Sequence, residues 1–331
     1  MKNRQWLLAR RPEGALKDSD FRFAETEVPA PAEGELLIRN LILSCDPTQR
    51  AWVAGDTYLP AVKIGEVVRS FGAGRIDASN SPGFKAGDIV LGLVGWQDYV
   101  AMKPEGLSKV PPGAPIELAM GVLGMIGITA YFGLLDVGRP AAGETVVVSG
   151  AAGATGSLVG QIAKIKGCRV IGVAGGAKKC RWLTHELGLD AAIDYKAENL
   201  KARLKELCPK GIDIFFDNVG GDILDAALAR LAMRGRIVLC GGIAAYDAAE
   251  PLPGPKNYLN LVSKRGRMEG FLVTDYLPRA AEAIGALAGW VKEGKIKYRV
   301  DVQQGLENAP ATLRRLFEGK NEGKQLLRIA E

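Results

Sequence analysis

A glycine-rich turn lies near the middle of the 331-residue chain, between a β-branched apolar run and a segment with helical character. The run Thr145-Val146-Val147-Val148-Ser149 leads into Gly150-Ala151-Ala152-Gly153-Ala154-Thr155-Gly156, and Ser157 to Lys166 is predicted helix. Small residues at such a turn let backbone N–H groups and a helix N-terminus approach a pyrophosphate. The glycine spacing alone is weak evidence, but its place between strand and helix is the context a dinucleotide site requires. The turn from Gly150 to Gly156 is therefore the predicted pyrophosphate site.

The end of the next predicted strand, Arg169 to Ala174, indicates which dinucleotide the turn binds. An NAD site would place an acidic residue there to bond the ribose 2′-hydroxyl. The chain instead continues Gly175-Gly176-Ala177-Lys178-Lys179. Two ammonium groups beside a ribose suit a 2′-phosphate, so the pattern favours NADP(H). The alternative interpretation of Lys178 and Lys179 is a solvated helix start, because lysines are common on protein surfaces.

The composition is that of a soluble globular protein, with 47% hydrophobic and 24% charged residues, and the length suggests about two domains. The net charge of +6 is spread along the chain, without a run of like charges that would form a nucleic-acid-binding arm. No apolar stretch is long enough to span a membrane, and the N-terminus leads into no signal-peptide core. Five cysteines without paired spacing favour reduced thiols. We therefore expect a cytoplasmic protein without nucleic-acid or membrane partners.

The first third of the chain is rich in β-strand patterns separated by glycine and proline. Strands are predicted at Glu35 to Leu43, Lys63 to Ser70, Asp88 to Leu93 and Trp96 to Met102. Pro111-Pro112-Gly113 then breaks the pattern, and Pro115 to Leu135 is predicted helix. We expect this part to form a small, irregular barrel-like domain.

After Thr145 the pattern alternates between strand and helix, which is typical of a parallel, doubly wound sheet. Its strands are predicted at Thr145 to Ser149, Arg169 to Ala174, Ala191 to Asp194, Ile212 to Asp217, Arg236 to Cys240 and Met268 to Val273, and its last helix at Tyr276 to Glu293. Three later segments do not continue this alternation and are expected to return to the first domain: Tyr298 to Val302, Ala309 to Glu318 and Gln325 to Ile329. The first domain is therefore predicted to be discontinuous.

Five segments spread over nearly the whole chain carry a family resemblance. They are Leu43-Ser44-Cys45-Asp46-Pro47, Leu123-Gly124-Met125-Ile126-Gly127-Ile128-Thr129-Ala130-Tyr131-Phe132-Gly133-Leu134-Leu135, Gly153-Ala154-Thr155-Gly156-Ser157-Leu158-Val159-Gly160-Gln161-Ile162-Ala163-Lys164, Asp217-Asn218-Val219-Gly220-Gly221 and Asn321-Glu322-Gly323-Lys324. Together they resemble the zinc-independent branch of the medium-chain dehydrogenase/reductases, which includes prostaglandin and leukotriene reductases, plant alkenal double-bond reductases and bacterial curcumin reductase. The resemblance implies an α/β protein with a GroES-like β-rich barrel domain (1–122 and 297–331) and a Rossmann doubly wound parallel-sheet domain (123–296). It also implies a homodimer.

The same resemblance implies roles for particular residues around NADP(H). Gly153, Ala154, Thr155 and Gly156 bind the pyrophosphate, and Lys179 and Tyr195 hold the 2′-phosphate end. Gly175 and Lys178, from the turn after the second strand, are predicted beside them. Asn218 lies near the nicotinamide ribose, at the carboxyl end of a predicted strand where doubly wound sheets bind ligands. The further implied cofactor contacts are Cys240, Gly241, Tyr246, Phe271, Leu272, Val273 and Asn321. For Asn218 and Asn321 the alternative is turn chemistry, since asparagine tolerates strained loops.

The single histidine, His185, lies inside the predicted helix Ala177 to Leu187. Because the chain has no other histidine, the commonest general acid or base is missing elsewhere, and a Ser-His-Asp hydrolase is essentially impossible. Tyr246 matches the family tyrosine in a loop beyond the fifth strand. A phenol, with a pKa of about 10, can hydrogen-bond an enolate or pass a proton to it. The alternative is that Tyr246 only packs on its loop.

A zinc site is considered because classical relatives in this superfamily are zinc alcohol dehydrogenases. Cys45 stands where such an enzyme places its first ligand, and Gly65-Glu66 resembles the next ligand region without its histidine. A catalytic zinc takes about three protein ligands, and no four-cysteine lobe for a structural ion is present. Cys45 is therefore predicted to be a small packed residue, and no metal site is predicted.

Three departures from the family affect the predicted substrate. Thr48 and Gln49 replace a Tyr-Met pair, Met125-Ile126-Gly127 replaces Met-Pro-Gly, and Ala51 to Pro60 follows no member closely. A wider and more polar pocket is expected, which makes prostaglandins or alkenals poor guesses for the natural substrate and allows a bulkier conjugated ketone. The sequence thus predicts NADPH-dependent reduction of the C=C bond of α,β-unsaturated ketones or aldehydes without zinc. The alternatives are a quinone or carbonyl reductase on the same fold, or a non-catalytic NADPH sensor or structural protein.

Overall fold

The computed structural model describes residues 1–331 and contains fifteen strands and eleven α-helices. The strands are β1 (Lys2–Leu8), β2 (Phe21–Glu27), β3 (Leu36–Ser44), β4 (Phe71–Ser79), β5 (Ile89–Leu93), β6 (Tyr99–Met102), β7 (Ser108–Lys109), β8 (Thr145–Ser149), β9 (Arg169–Ala174), β10 (Ala191–Asp194), β11 (Ile212–Asp217), β12 (Leu231–Leu239), β13 (Arg267–Gly270), β14 (Val300–Gln304) and β15 (Lys324–Arg328). The helices are α1 (Thr48–Ala54), α2 (Ile116–Met120), α3 (Met125–Phe132), α4 (Ala154–Ile165), α5 (Ala177–Arg181), α6 (Leu200–Leu207), α7 (Gly221–Ala229), α8 (Ile243–Tyr246), α9 (Asn260–Lys264), α10 (Ala280–Lys292) and α11 (Ala309–Phe317). No helix is long and apolar enough to cross a membrane.

Six parallel strands form the second half of the fold, in the spatial order β10-β9-β8-β11-β12-β13. This is the Rossmann order, and the predicted doubly wound sheet is confirmed. Strands β8 to β11 begin and end at the predicted residues, because each is a short apolar run bounded by turn residues. The strand order reverses between β8 and β11, which places a ligand crevice beyond the carboxyl ends of these two strands.

The β-rich half contains a two-stranded antiparallel sheet, β1-β2, and a seven-stranded sheet. The larger sheet has the order β14-β15-β3-β4-β5-β7, with β6 also paired to β3. Strand β15 pairs antiparallel with β3 and parallel with β14. The last part of the chain therefore completes the sheet that the first part begins, and α11 packs its apolar face into the same core.

The prediction of a strand at Lys63 to Ser70 is wrong. The strand is formed instead by the segment that follows along the chain, β4. The segment 63–70 is extended and hydrogen-bonded, since Val68 N–H donates to Trp6 O at 2.9 Å, but it forms only one isolated bridge to β1. Strand β4 contains Gly72 and Gly74, and glycine is depleted in strands. A β-carbon on Gly74 would lie 2.3 Å from Ile38 Cγ2, so close packing against β3 explains glycine there.

Several helix and strand boundaries also differ from the prediction. The single helix predicted from Pro115 to Leu135 is divided into α2 and α3, and a π-helical turn over Gly133–Gly138 follows. The last predicted helix of the parallel-sheet half starts as a 3-10 stretch, Val273–Arg279, which contains Pro278. Proline has no N–H to donate, so the α-helical hydrogen bonds begin only with α10. Strand β12 is longer than predicted, whereas β13 ends at Gly270.

Candidate active site

The glycine-rich turn leaves β8 and enters α4 with no room for larger side chains. Gly150 has φ +57°, and a β-carbon on Gly156 would lie 2.4 Å from Gly150 O. Helix α4 begins after Gly153, and no side chain caps its first N–H groups. These groups lack intrahelical partners and carry the positive end of the helix dipole, so they can bind a phosphate. The predicted contacts Gly153 to Gly156 therefore lie at the end of this turn and in the first turn of α4.

The residues predicted for the 2′-phosphate end lie together beyond β9. A β-carbon on Gly175 would lie 3.1 Å from the Tyr195 ring, and that ring is 44% exposed. Lys178 and Lys179 stand in the first turn of α5. The Lys179 ammonium donates to Gly319 O at 2.7 Å. Burial, together with the charge of Lys196, lowers the pKa of Lys179.

Two charged residues from the end of the chain complete this region, and the sequence reasoning missed both. Lys178 Nζ lies 2.5 Å from Glu322 Oε1, and Arg299 Nη1 lies 3.1 Å from Glu322 Oε2. The Arg299 guanidinium also lies over the Trp182 ring, 4.8 Å from its centroid. A narrow cavity at this place is lined by Ala152, Lys178, Lys179, Trp182, Arg299 and Glu322. The motif Asn321-Glu322-Gly323-Lys324 points to Asn321 as a cofactor contact, but the ion pairs of Glu322 with Lys178 and Arg299 depend on the tertiary fold, which no local pattern reveals.

The segment Asn321 to Gly323 lies directly against the glycine-rich turn. Gly323 N–H donates to Ala152 O at 3.2 Å, and Gly153 and Gly323 form a parallel bridge. The Asn321 side chain donates to Gly323 O at 3.0 Å. Asn321 thus stabilises its own turn, as the turn-chemistry alternative expects, and at the same time lies beside the predicted pyrophosphate site.

A hydrogen-bonded group joins β8 and β11 at the point where the strand order reverses. The Asn218 side chain donates to Ser149 O at 2.7 Å, and Ser149 Oγ donates to Asp217 Oδ1 at 2.7 Å. Asp217 is fully buried, and burial raises the pKa of its carboxyl against the lowering effect of bonds from Gly220 N–H and Ser149. The group fixes the carboxyl ends of both strands, which positions Asn218 at the crevice.

Tyr246 lies at the end of α8, beside the turn that follows β12. Its hydroxyl accepts a hydrogen bond from Gly242 N–H at 3.3 Å, and a β-carbon on Gly241 would lie 3.6 Å from it. The N–H groups of Cys240 and Gly241 donate to Asp217 O at 2.9 and 3.1 Å. The fold thus brings Asn218, Cys240, Gly241 and Tyr246 to one edge of the parallel sheet.

Burial raises the pKa of the Tyr246 phenol above its usual value, while the bond from Gly242 N–H acts in the opposite direction. Cys240 and Tyr58 lie near enough to Tyr246 that ionisation of either group would raise the pKa of Tyr246 further. The phenol is therefore protonated at neutral pH and can donate a hydrogen bond or a proton. This protonation state is the one that the predicted role of Tyr246 requires.

Tyr58, which the sequence analysis did not single out, lies beside Thr48. Its hydroxyl lies 3.1 Å from Thr48 Oγ1, and its ring meets Trp52 edge to face at 6.3 Å between centroids. The family places an aromatic residue at position 48, and here an aromatic ring reaches that position from the segment 51–60. The pocket expected to be more polar because Thr48 and Gln49 replace a Tyr-Met pair therefore also has the Tyr58 phenol next to Thr48.

The three residues after β13 do not all face the crevice. The Phe271 ring packs against Gly133 and Phe216, and Val273 packs against the core of the parallel sheet. Leu272 is 39% exposed. A cofactor contact from Phe271 or Val273 would therefore use the backbone, whereas Leu272 has a free side chain.

Cys45 is buried, and burial raises the pKa of its thiol to about 12. The buried Lys324 ammonium donates to Cys45 O at 3.2 Å and lies 2.5 Å from both Ser44 Oγ and Asp46 Oδ1. The Lys324 ammonium therefore lies beside Cys45, the residue at the position of the first zinc ligand in the zinc-dependent relatives. No group of three His, Cys, Asp or Glu side chains is arranged to hold a metal ion.

Comparison with known proteins shows the family to which the chain belongs. The family model described as the N-terminal domain of oxidoreductase matches residues 4–110, and the one described as zinc-binding dehydrogenase matches residues 154–288. The chain is 45% identical to NADPH-dependent curcumin reductase of Escherichia coli (strain K12), with 99% of this chain and 97% of the relative covered. It is 40% identical to 2-alkenal reductase (NADP(+)-dependent) of Nicotiana tabacum, with 99% and 98% covered.

A solved structure has the same fold over the full length. The crystal structure of CurA in complex with NADPH from Vibrio vulnificus superposes with a TM-score of 0.95 at 42% sequence identity, and 99% of each chain is covered. The predicted GroES-like and Rossmann architecture is confirmed by these matches. The chain therefore belongs to the medium-chain dehydrogenase/reductase family, in the group that includes curcumin reductase and 2-alkenal reductase.

Proposed function

We propose that the protein is an NADPH-dependent reductase of the C=C bond of α,β-unsaturated ketones or aldehydes and that it works without zinc. The observation that carries the proposal is the position of Tyr246, a protonated phenol at the same sheet edge as the glycine-rich turn and Asn218. Full-length similarity to NADPH-dependent curcumin reductase and to 2-alkenal reductase supports the same activity.

The residues at the crevice fit NADPH. The uncapped N-terminus of α4 and the small residues Gly153 to Gly156 suit the pyrophosphate, because a β-carbon at Gly156 would fill the cradle. Lys178, Lys179 and Tyr195 suit the 2′-phosphate and adenosine. Gly175 adjoins the Tyr195 ring at this 2′-phosphate end, and Asn321 adjoins the pyrophosphate site. Contacts to the nicotinamide half are proposed for Asn218, Cys240, Gly241, Tyr246, Phe271, Leu272 and Val273. When bound, NADPH supplies the hydride that is added to the β-carbon of the substrate.

The chain itself must bind the carbonyl group, stabilise the enolate and allow a proton to reach the α-carbon. Tyr246 is the proposed catalytic residue: its O–H donates to the developing enolate oxygen or passes a proton to it. The bond from Gly242 N–H to the phenol oxygen orients the hydroxyl and leaves its proton free to be donated. No histidine competes for this role, since His185 lies in a π-helical turn beyond α5.

We further propose domain boundaries at 1–122 with 297–331 for the substrate-binding domain and 123–296 for the NADPH domain. The pairing of β15 with β3 supports the discontinuous first domain.

We also propose a homodimer built on β13, which lies at one edge of the parallel sheet and has β12 as its neighbour. Exposed apolar side chains around it, Tyr258, Leu259, Val262 and Met268, favour a second copy as the partner. The five unpaired cysteines support a reducing, cytosolic setting.

The test follows NADPH absorbance with a panel of enones, alkenals, quinones and saturated ketones, in parallel with NADH. Oxidation with enones and alkenals is the expected result. Activity with quinones or saturated ketones alone would replace the proposal with a quinone or carbonyl reductase. A silent panel with NADPH-dependent thermal stabilisation would indicate a sensor instead. Light scattering after size-exclusion chromatography tests the dimer, and a monomeric mass would refute it.

A further inference from the structure

We infer that Glu322 is a cofactor-specificity residue whose carboxylate competes with the 2′-phosphate of NADPH for the Lys178 ammonium. The inference rests on the proposed function, because it takes α5 as the 2′-phosphate site. Glu322 places a carboxylate inside the proposed site for the 2′-phosphate, which is itself an anion.

Glu322 and Lys178 form a short ion pair, 2.5 Å long, between the end of the chain and α5. The hydrogen bond from Lys178 lowers the pKa of Glu322, and the charge of Arg299 acts in the same direction. The carboxylate is therefore ionised at neutral pH. The Lys178 side chain is 72% exposed and that of Glu322 is 31% exposed, so water and ligands can reach the pair.

The pair stands at the cofactor crevice and not on a remote surface. Glu322 adjoins Gly323, whose N–H donates to Ala152 O in the glycine-rich turn. Both partners line the narrow cavity that also contains Lys179. A phosphate bound by the Lys178 ammonium has to take the place of the Glu322 carboxylate, which lies 2.5 Å from Lys178 Nζ, and the two anions repel each other.

Arg299 gives the Glu322 carboxylate a second cationic partner, so that Glu322 keeps one ion pair when Lys178 moves away. The guanidinium lies 3.1 Å from Glu322 Oε2 and is itself held by Glu186 and by the face of Trp182. When Lys178 turns towards a phosphate, Glu322 keeps this second cation. An exposed pair contributes little to stability, so the exchange costs little.

Lys179 differs from Lys178 in its partner. Its ammonium donates to the neutral oxygen of Gly319, and it is more buried than Lys178. A phosphate therefore finds Lys179 without a bound carboxylate and has to displace Glu322 from Lys178. Glu322 consequently lowers the affinity for ligands with a 2′-phosphate and leaves ligands without one unaffected.

The experiment measures dissociation constants of NADPH, NADH and 2′,5′-ADP by calorimetry for the full-length wild type, Glu322→Gln, Lys178→Gln and the double variant. Glu322→Gln is expected to bind NADPH and 2′,5′-ADP about two- to fivefold more tightly, which is the range for one exposed ion pair, with unchanged NADH binding. This gain should shrink in the Lys178→Gln background. Glu318→Gln, which breaks the exposed Lys320 pair nearby, is the matched control and should change nothing.

Two results separate failure of the inference from failure of the site. If Glu322→Gln leaves 2′,5′-ADP binding unchanged or weakens it while Lys178→Gln weakens NADPH binding, Glu322 is no competitor and the 2′-phosphate site stands. If neither Lys178→Gln nor Lys179→Gln changes the preference for NADPH over NADH, the site itself is wrong and the inference falls with it. Glu322→Asp keeps the charge near Arg299 but shortens the reach to Lys178. It should bind 2′,5′-ADP with intermediate affinity, and this variant decides the question if Glu322→Gln does not fold.

Discussion

Arg50 and Asp247 form an ion pair, with 3.3 Å between Nε and Oδ1, that joins α1 of the β-rich half to the loop after Tyr246. Arg50 is buried and also donates to Gly14 O at 2.8 Å. Burial raises the pKa of the Asp247 carboxyl, and the Arg50 charge acts in the opposite direction. Because Asp247 directly follows Tyr246, the pair fixes the proposed catalytic phenol relative to the half that contains Tyr58.

Asp247→Asn should loosen this connection. It leaves the buried guanidinium without its counter-ion, which is expected to lower the free energy of unfolding by roughly 1–3 kcal/mol. The KM for an enone should rise more than kcat falls, because the variant affects positioning and not the phenol itself. Urea unfolding and steady-state kinetics measure both effects. Glu250→Gln changes a nearby exposed carboxylate and serves as the control; an equal effect in both variants would refute the positioning role.

Tyr246→Phe should lower kcat by about 10²- to 10⁴-fold, the usual contribution of a general acid, with little change in NADPH affinity. Burial raises the pKa of Tyr246, so the phenol stays protonated until the pH exceeds its ordinary value of about 10. The kcat profile should therefore be flat between about pH 6 and 9 and should fall only at higher pH. Tyr298→Phe, at an exposed tyrosine, is the control. A kcat decrease with a midpoint near pH 7 that vanishes in Tyr246→Phe would contradict the assignment.

Lys179→Gln should weaken NADPH binding and leave NADH binding nearly unchanged. A charge-assisted bond to phosphate contributes about 1.5–3 kcal/mol, so the dissociation constant for NADPH should rise roughly 10- to 100-fold. Fluorescence titration with both cofactors measures the ratio, and exposed Lys210→Gln is the control. Parallel losses for NADPH and NADH would mean that Lys179 supports the fold and not the 2′-phosphate.

The five thiols should react slowly in the native protein. Burial raises the pKa of Cys45 and Cys240 to about 12, and that of Cys168, Cys180 and Cys208 to about 11. Since only the thiolate is nucleophilic, the native protein should be labelled by a disulfide reagent far more slowly at pH 7.5 than the same protein in guanidinium chloride, where free thiols titrate near 8.5. Fast labelling of Cys240 in the native state would show an ionised thiol beside Tyr246 and would contradict the raised pKa on which the assignment of Tyr246 as the acid depends.

The sequence predicts the first four strands of the parallel sheet well, because β8 to β11 are continuous apolar runs bounded by turns. It predicts the β-rich half less well. Strand β4 depends on close packing of Gly74 against Ile38, which no local pattern reveals. The missed site residues have the same cause: Glu322 and Tyr58 reach the site through contacts between distant segments.

Gly156→Ala tests the glycine-rich turn directly. The added β-carbon would lie 2.4 Å from Gly150 O and 2.9 Å from Ala151 Cα, so the backbone must shift. We expect a loss of about 1–3 kcal/mol in stability, as for other overpacked sites, and weaker binding of both NADPH and NADH, because both contain the pyrophosphate. Gly285→Ala in α10 meets nothing within 4 Å and should be neutral or stabilising by up to about 1 kcal/mol. Thermal unfolding with and without each cofactor measures these effects. A Gly156→Ala protein that binds both cofactors as the wild type does would show that the pyrophosphate lies elsewhere.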